Sequence, residues 1–108
     1  MNEQNDTVFT IDDLKAALIP VFQNHGVKRA VIFGSYSKGN ATPKSDVDIL
    51  VDSDLKGLSF VGLIGDIKDS LNGKEVDVFN VTHVDKDSPV DREIRSTGVE
   101  IYAKSSPG

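Results

Sequence analysis

The 108-residue chain contains no cysteine and no tryptophan, a single methionine and four prolines. Without cysteine there is no disulfide framework, no thiol nucleophile and no cysteine zinc site. Long apolar runs are missing too, so no segment reads as a membrane span. Met1 to Thr7 are polar and acidic, unlike the basic and apolar parts of a signal peptide, and these features together predict a cytoplasmic protein. Positive charge is also scarce: 12 Lys and Arg stand against 17 Asp and Glu, for a net charge of −5. A protein that grips a nucleic acid duplex through its phosphates carries a basic excess or stripe, so no direct duplex binding is expected. Any phosphate this chain meets must be held by backbone N–H groups, one or two cations, or metal ions.

What is present is an ordinary globular composition, 38% hydrophobic and 27% charged. The length fits one domain, expected over residues 10–103, with flexible ends at 1–9 and 104–108. There is no internal repeat and no low-complexity segment. Thr10 reads as a helix N-cap with Asp13 completing a capping box, and Leu14, Ala17, Leu18, Val21 and Phe22 follow at helical spacing. Pro20 falls inside that helix, where its ring displaces the carbonyl four residues earlier and predicts a bend. His25-Gly26 is the expected stop. Ala30 to Phe33 reads as a buried strand and residues 36–46 as a turn or short helical loop. Val47 to Asp52 returns to strand, and Phe60, Leu63, Ile64, Ile67 and Leu71 mark a second helix closed by Asn72-Gly73. Gly62 and Gly65 weaken that helix, by about 1 kcal/mol each against Ala. Glu75 to Asn80 is a third strand, Ser88-Pro89-Val90-Asp91 starts a short helix ended by Gly98, and Val99 to Tyr102 is a final strand. Alternating helices and strands predict an α/β (α+β) domain with one small mixed β-sheet flanked by helices.

The chemistry concentrates between Phe33 and Val51. Asp46 and Asp48 are two apart on a strand, so they share one face at roughly 7 Å along the backbone, while Val47, Ile49 and Val51 enter a core. Two unpaired carboxylates so close repel unless a cation lies between them, and a divalent metal with oxygen ligands is the natural resolution. Asp77 offers a third carboxylate, because the alternation in Val76-Asp77-Val78 again places the acid opposite the valines. Glu75 has the same parity and is the fallback. If the two strands pair, three acids converge as ligands for two Mg²⁺ ions about 4 Å apart, a clamp for in-line displacement at phosphorus. An Asp-x-Asp pair alone also fits a solvated strand edge. Gly34-Ser35 at the end of the preceding strand shifts the balance, since a Gly-Ser turn offers backbone N–H and hydroxyl to a phosphate. Gly39 would let the loop pass close to the ligand, and Lys38 would offset charge on the outer phosphates.

A P-loop is excluded because Gly39 is followed by Asn40-Ala41 rather than Lys-Ser/Thr. An EF-hand is excluded because Asp48 is followed by Ile49-Leu50-Val51. His25 and His83 stand alone near element ends and carry no expected role. Tyr36 and Tyr102 read as packing, Asp52 and Asp54 as solvated. Phe60, Leu63 and Ile64 read as core, or as part of a partner surface if the sheet is left uncovered.

Gly-Ser, ten intervening residues and Asp-x-Asp resemble the signature of the nucleotidyltransferase superfamily that includes DNA polymerase beta. The short length is similar to its minimal nucleotidyltransferases, and the resemblance runs from about Asp12 to Ala103. It implies that Asp46 and Asp48 bind both metals, and that Asp77 holds the catalytic metal and helps deprotonate the attacking hydroxyl. It also implies that Gly34 and Ser35 form the phosphate-holding turn. Lys38 stands where many relatives carry Arg, which gives up a bidentate fork for phosphate. Members transfer a nucleoside monophosphate, commonly AMP from ATP, to a hydroxyl acceptor. Minimal members are frequently antitoxins that silence a HEPN-domain ribonuclease toxin encoded nearby, by binding it or by adenylylating a tyrosine. The resemblance therefore implies a nucleotidyltransferase using Mg²⁺ and ATP, with a HEPN protein as partner. The alternative is a non-catalytic binding module that neutralises its partner by occlusion. A homo-oligomer is compatible with either.

Overall fold

Thr10 caps the first helix as its sequence requires. Its hydroxyl accepts from the Asp13 N–H at 2.9 Å, while the Asp13 carboxylate accepts from the Thr10 N–H at 2.9 Å. Helix α1 spans Ile11–Asn24 and buries Leu14, Leu18 and Phe22. In this computed structural model, which describes residues 8–104, the helix continues through Pro20. Pro20 is on the exposed side, where water can take up the carbonyl that loses its donor. His25 is the C-cap and Gly26 turns the chain at φ 71°.

Strand β1 (Arg29–Phe33), the single turn α2 (Ser35–Lys38), strand β2 (Val47–Asp52), helix α3 (Leu58–Ser70) and strand β3 (Val76–Asn80) follow. A short 3-10 turn at Val81–His83, helix α4 (Pro89–Thr97) and strand β4 (Val99–Ala103) complete the described chain. The four strands form one mixed sheet in the order β3-β2-β1-β4, with β1 antiparallel to β2 and β4, and β2 parallel to β3. The expected mixed sheet flanked by helices is therefore the observed fold.

The sheet is covered unequally. Helices α1 and α3 lie on one face, where Ile32, Val47, Ile49, Val51, Leu63 and Ile67 are wholly buried. Leu63 and Ile67 make the inward stripe of α3, and Leu71, its C-cap, is buried with them. Gly62 and Gly65 are exposed with open space beside them, so they weaken the helix without disturbing its packing. Val31, Phe33 and Leu50 form a smaller cluster on the other face under Val90 and Ile94 of α4. Leu50 shares the parity of Asp48, so the acidic face turns apolar two residues along the strand.

Of the ends expected to be loose, residues 1–7 and 105–108 lie outside the described residues. Phe9 packs against the core, and the Lys104 N–H donates to the Lys28 carbonyl at 2.8 Å, so both residues are tied to the fold. His25 does not stand alone: its Nε2 lies 2.7 Å from Asp66 Oδ2 and ties the end of α1 to α3. The His83 ring meets Phe60 edge-on at 5.8 Å. No described helix is long and apolar enough to cross a membrane.

Candidate active site

The parallel pairing of β2 and β3 sets Asp48 directly opposite Asp77. On the other side of β2, the antiparallel register sets Asp48 opposite Phe33, the residue before Gly34. One position of β2 thus touches both the third expected carboxylate and the Gly-Ser turn. Gly34 adopts φ 77° and ψ −147°, a conformation closed to side-chain-bearing residues without strain. A Cβ there would also stand 2.6 Å from Asp48 Oδ2. Glycine is required twice over, by its backbone and by the carboxylate resting against it.

Asp48 is half-buried and its carboxyl is pushed up to about 6. Burial is the main cause, followed by the charges of Asp77 and Glu93, a hydrogen bond to Asp77, and the charge of Asp46. Asp46 is exposed and lies one residue before β2 rather than on it. It lines a depression with Pro43, Lys44, Gly73, Lys74 and Glu75.

Residues 16–107 match the family model for polymerase beta nucleotidyltransferases. The chain belongs to this family. A Methanocaldococcus jannaschii protein whose name proposes it as a protein adenylyltransferase is 40% identical over 77 residues, covering 68% of this chain and 81% of its own. Among solved structures, a toxin–antitoxin complex with AMP-PNP matches with a TM-score of 0.71 at 19% identity, over 83% of this chain and 73% of that one. A complex of the tri-AMPylated Shewanella oneidensis HEPN toxin with its MNT antitoxin matches with a TM-score of 0.66 at 16% identity, over 88% of this chain and 74% of that one. At such identities these structures speak for the fold.

Within this nucleotidyltransferase the remaining expected site residues fall into different surroundings. The Glu75 carboxylate accepts from Lys68 Nζ at 3.1 Å, so the fallback acid is engaged elsewhere and Asp77 is the better-placed third carboxylate. Ser35 opens α2, and a first-turn amide has no partner within its own helix. The Gly34 N–H donates to Thr97 Oγ1 at 3.0 Å. Gly39 is the left-handed C-cap of α2 at φ 82°, and a Cβ on it would meet nothing within 4 Å. Its backbone conformation alone favours glycine there. Lys38 ends α2 and is exposed. Tyr36 is buried among the core residues, its hydroxyl raised above the usual phenol range chiefly by desolvation.

Three residues escaped sequence reasoning. Glu93 and Thr97 of α4 share the helix stripe of Val90 and Ile94, which face the sheet. Polar side chains on an inward stripe were the available signal. Lys74 is buried, and its Nζ donates to the Pro43 carbonyl at 2.7 Å, fastening the loop that delivers Asp46.

The donor set suits hard divalent cations. Asp46, Asp48, Asp77 and Glu93 supply only carboxylate oxygens, and none of them takes part in an ion pair among the described residues. Burial first, and then the charges of its acidic neighbours, raise the carboxyl of Asp48, and a bound cation offsets both costs. Among the described residues no three such side chains already form a closed ligand group. The arrangement is a group of acids beside the Gly34-Ser35 turn, not a preformed cage.

Proposed function

We propose that this nucleotidyltransferase moves AMP from ATP onto a hydroxyl of a protein partner, and that the partner is a HEPN-domain toxin encoded nearby, which it silences as an antitoxin. Residues 10–103 act as a minimal nucleotidyltransferase domain in the cytoplasm. The observation that carries the reading is the register of Asp48 and Asp77 beside the Gly34 turn, in a chain of this family. The name of the Methanocaldococcus jannaschii relative and the toxin–antitoxin complexes that share the fold support the choice of acceptor and partner.

Asp46, Asp48 and Asp77 are the residues proposed to hold two Mg²⁺ ions. When bound, the ions supply charge neutralisation on the triphosphate and acidify the acceptor hydroxyl. Gly34 and Ser35 orient the phosphates, with Ser35 donating from its amide and hydroxyl, and Lys38 and Gly39 border the outer phosphates. The acceptor oxygen attacks the α-phosphorus in line. Its bond to phosphorus forms as the bond to the bridging oxygen breaks, and pyrophosphate leaves with that electron pair. The acceptor's proton passes to Asp77 and then to water.

Purified chain, Mg²⁺, ATP labelled at the α-phosphate and the neighbouring HEPN protein form the test. Label should appear on the partner and vanish with EDTA, with Asp46→Asn and with Asp48→Asn. Undiminished labelling by both variants would overturn the mechanism. Full neutralisation of the partner by a triple Asp46/Asp48/Asp77 variant would favour occlusion instead.

A further inference from the structure

Helix α4 reaches the Gly34 turn through the hydroxyl of Thr97. The Gly34 N–H donates to Thr97 Oγ1 at 3.0 Å, and that hydroxyl donates its own proton to the Glu93 carbonyl at 2.8 Å. A hydroxyl has one proton, so the bond to Glu93 leaves only lone pairs for Gly34 and fixes the direction of the contact. Gly34 is buried and Thr97 half-buried, so an N–H deprived of this acceptor would be poorly served by water. On its other side the Gly34 carbonyl accepts from the Ser37 and Lys38 N–H groups at 3.2 and 3.1 Å, and from Ser37 Oγ at 2.9 Å.

Both peptide planes flanking Gly34 are therefore tied. That matters because φ 77° with ψ −147° persists only where the surroundings over-determine it. The tie also decides which donors remain for a ligand. With the Gly34 N–H turned to α4, the Ser35 amide and hydroxyl are left to face an anion. Close packing at the end of α4 keeps the acceptor in place: a Cβ on Gly98 would stand 2.4 Å from the Ile94 carbonyl oxygen and 2.8 Å from Val31 Cγ1.

We propose that Thr97 is a positioning residue for the nucleotide-binding turn: its hydroxyl latches the Gly34 peptide so that Ser35 is presented to the triphosphate. Helix α4 thereby sets affinity for the nucleotide without touching it. The inference rests on the nucleotidyltransferase reading of this turn.

Thr97→Val keeps the shape and removes the acceptor, whereas Thr97→Ser keeps the hydroxyl. Two readouts are taken on the full chain: hydrogen exchange of the Gly34 amide without nucleotide, and calorimetric binding of a non-hydrolysable ATP analogue with Mg²⁺. For Thr97→Val, Gly34 exchange should quicken and the analogue's Kd should rise, each by about tenfold, as expected for one lost buried hydrogen bond. In the transfer assay the loss should fall on KM for ATP rather than on kcat, because the carboxylates stay in place. Thr97→Ser should restore both readouts to near the wild-type values. Unchanged Gly34 exchange or unchanged Kd in Thr97→Val would overturn the proposal. So would a Thr97→Ser variant as impaired as Thr97→Val, which would assign the effect to packing. A wild-type chain that binds no analogue, with Gly34 exchange still answering to the hydroxyl, would overturn the nucleotide reading and reduce Thr97 to a structural bond.

Discussion

The two faces of the sheet are built for different ends. Under α1 and α3 lies an apolar layer that includes Leu18, Phe22, Ile49, Leu63 and Ile67, all fully buried. Under α4 the buried apolar cluster among the described residues is just Val31, Phe33 and Leu50, and the cover ends where Asp48 meets Asp77 and Glu93. The first face gains free energy from area removed from water. The second gives some of it back, because Asp48 is desolvated among like charges. Stability and chemistry are thus separated by the thickness of one sheet, and a change on either face should reveal which purpose it serves.

The largest contrast pits Asp48→Asn against Ile49→Ala, neighbours on opposite faces. Asp48→Asn should cut transfer on the order of a thousandfold while the protein stays folded. Ile49→Ala should destabilise the fold by about 2–5 kcal/mol, yet leave each folded molecule active. Activity normalised to the folded fraction checks both, and a loss of transfer per folded Ile49→Ala molecule would break the separation.

Gly34→Ala comes next, because it strikes the join between the faces. The strained backbone alone should cost about 1–3 kcal/mol, and the contact with Asp48 Oδ2 adds to it. Thermal unfolding measures the cost, and nucleotide affinity should fall in the same variant.

The pH dependence of metal-free protein sharpens the comparison further. The folded carboxyl of Asp48 lies near 6, above its ordinary value of 3.8. Between these values the folded state holds the extra proton, so this group's contribution to stability is full below pH 3.8 and is lost as pH rises through about 6. In EDTA, the excess Tm of Asp48→Asn over wild type should grow across that window. Mg²⁺ should shrink it at neutral pH by stabilising the wild-type carboxylate. A difference that stays flat with pH would contradict the cost assigned to the acidic face.

The smallest effect belongs to the solvent side of α3. Gly62→Ala and Gly65→Ala enter open space and should each stabilise by up to about 1 kcal/mol, with transfer unchanged. Denaturant midpoints at constant m-value check this, and altered transfer would show that this helix surface also serves the reaction.

Much of this was legible in the chain. The Thr10–Asp13 box, the Ser88-Pro89 helix start and the buried run from Ala30 to Phe33 each state a local physical preference that the fold keeps. Helix ends are short-range affairs of orphan N–H groups, and buried strands announce themselves by composition. The acids were legible too, because Asp46, Asp48 and Asp77 break apolar alternation where nothing local asks for charge. Glu93, Thr97 and Lys74 were not. Each acts on a residue distant in sequence: the helix stripe shared with Val90 and Ile94 hinted that Glu93 and Thr97 face inward, but not what they meet, and nothing near Lys74 marks it until the 72–75 turn is docked. Gly39 was marked by the sequence as special, and the fold supplies one local reason, the left-handed cap of α2.

The sequence by itself determined the elements, the mixed sheet and the acidic residues set against apolar neighbours, because these follow from periodicity and composition within a few residues. Only the tertiary structure decided that Asp48 faces Asp77, that Glu75 is drawn away by Lys68, and that Thr97 takes the Gly34 N–H. The first depends on the parallel register across the α3 crossover, and the last on where α4 docks. Hydrogen bonds and like charges act over a few ångströms, and only packing brings distant parts of a chain that close.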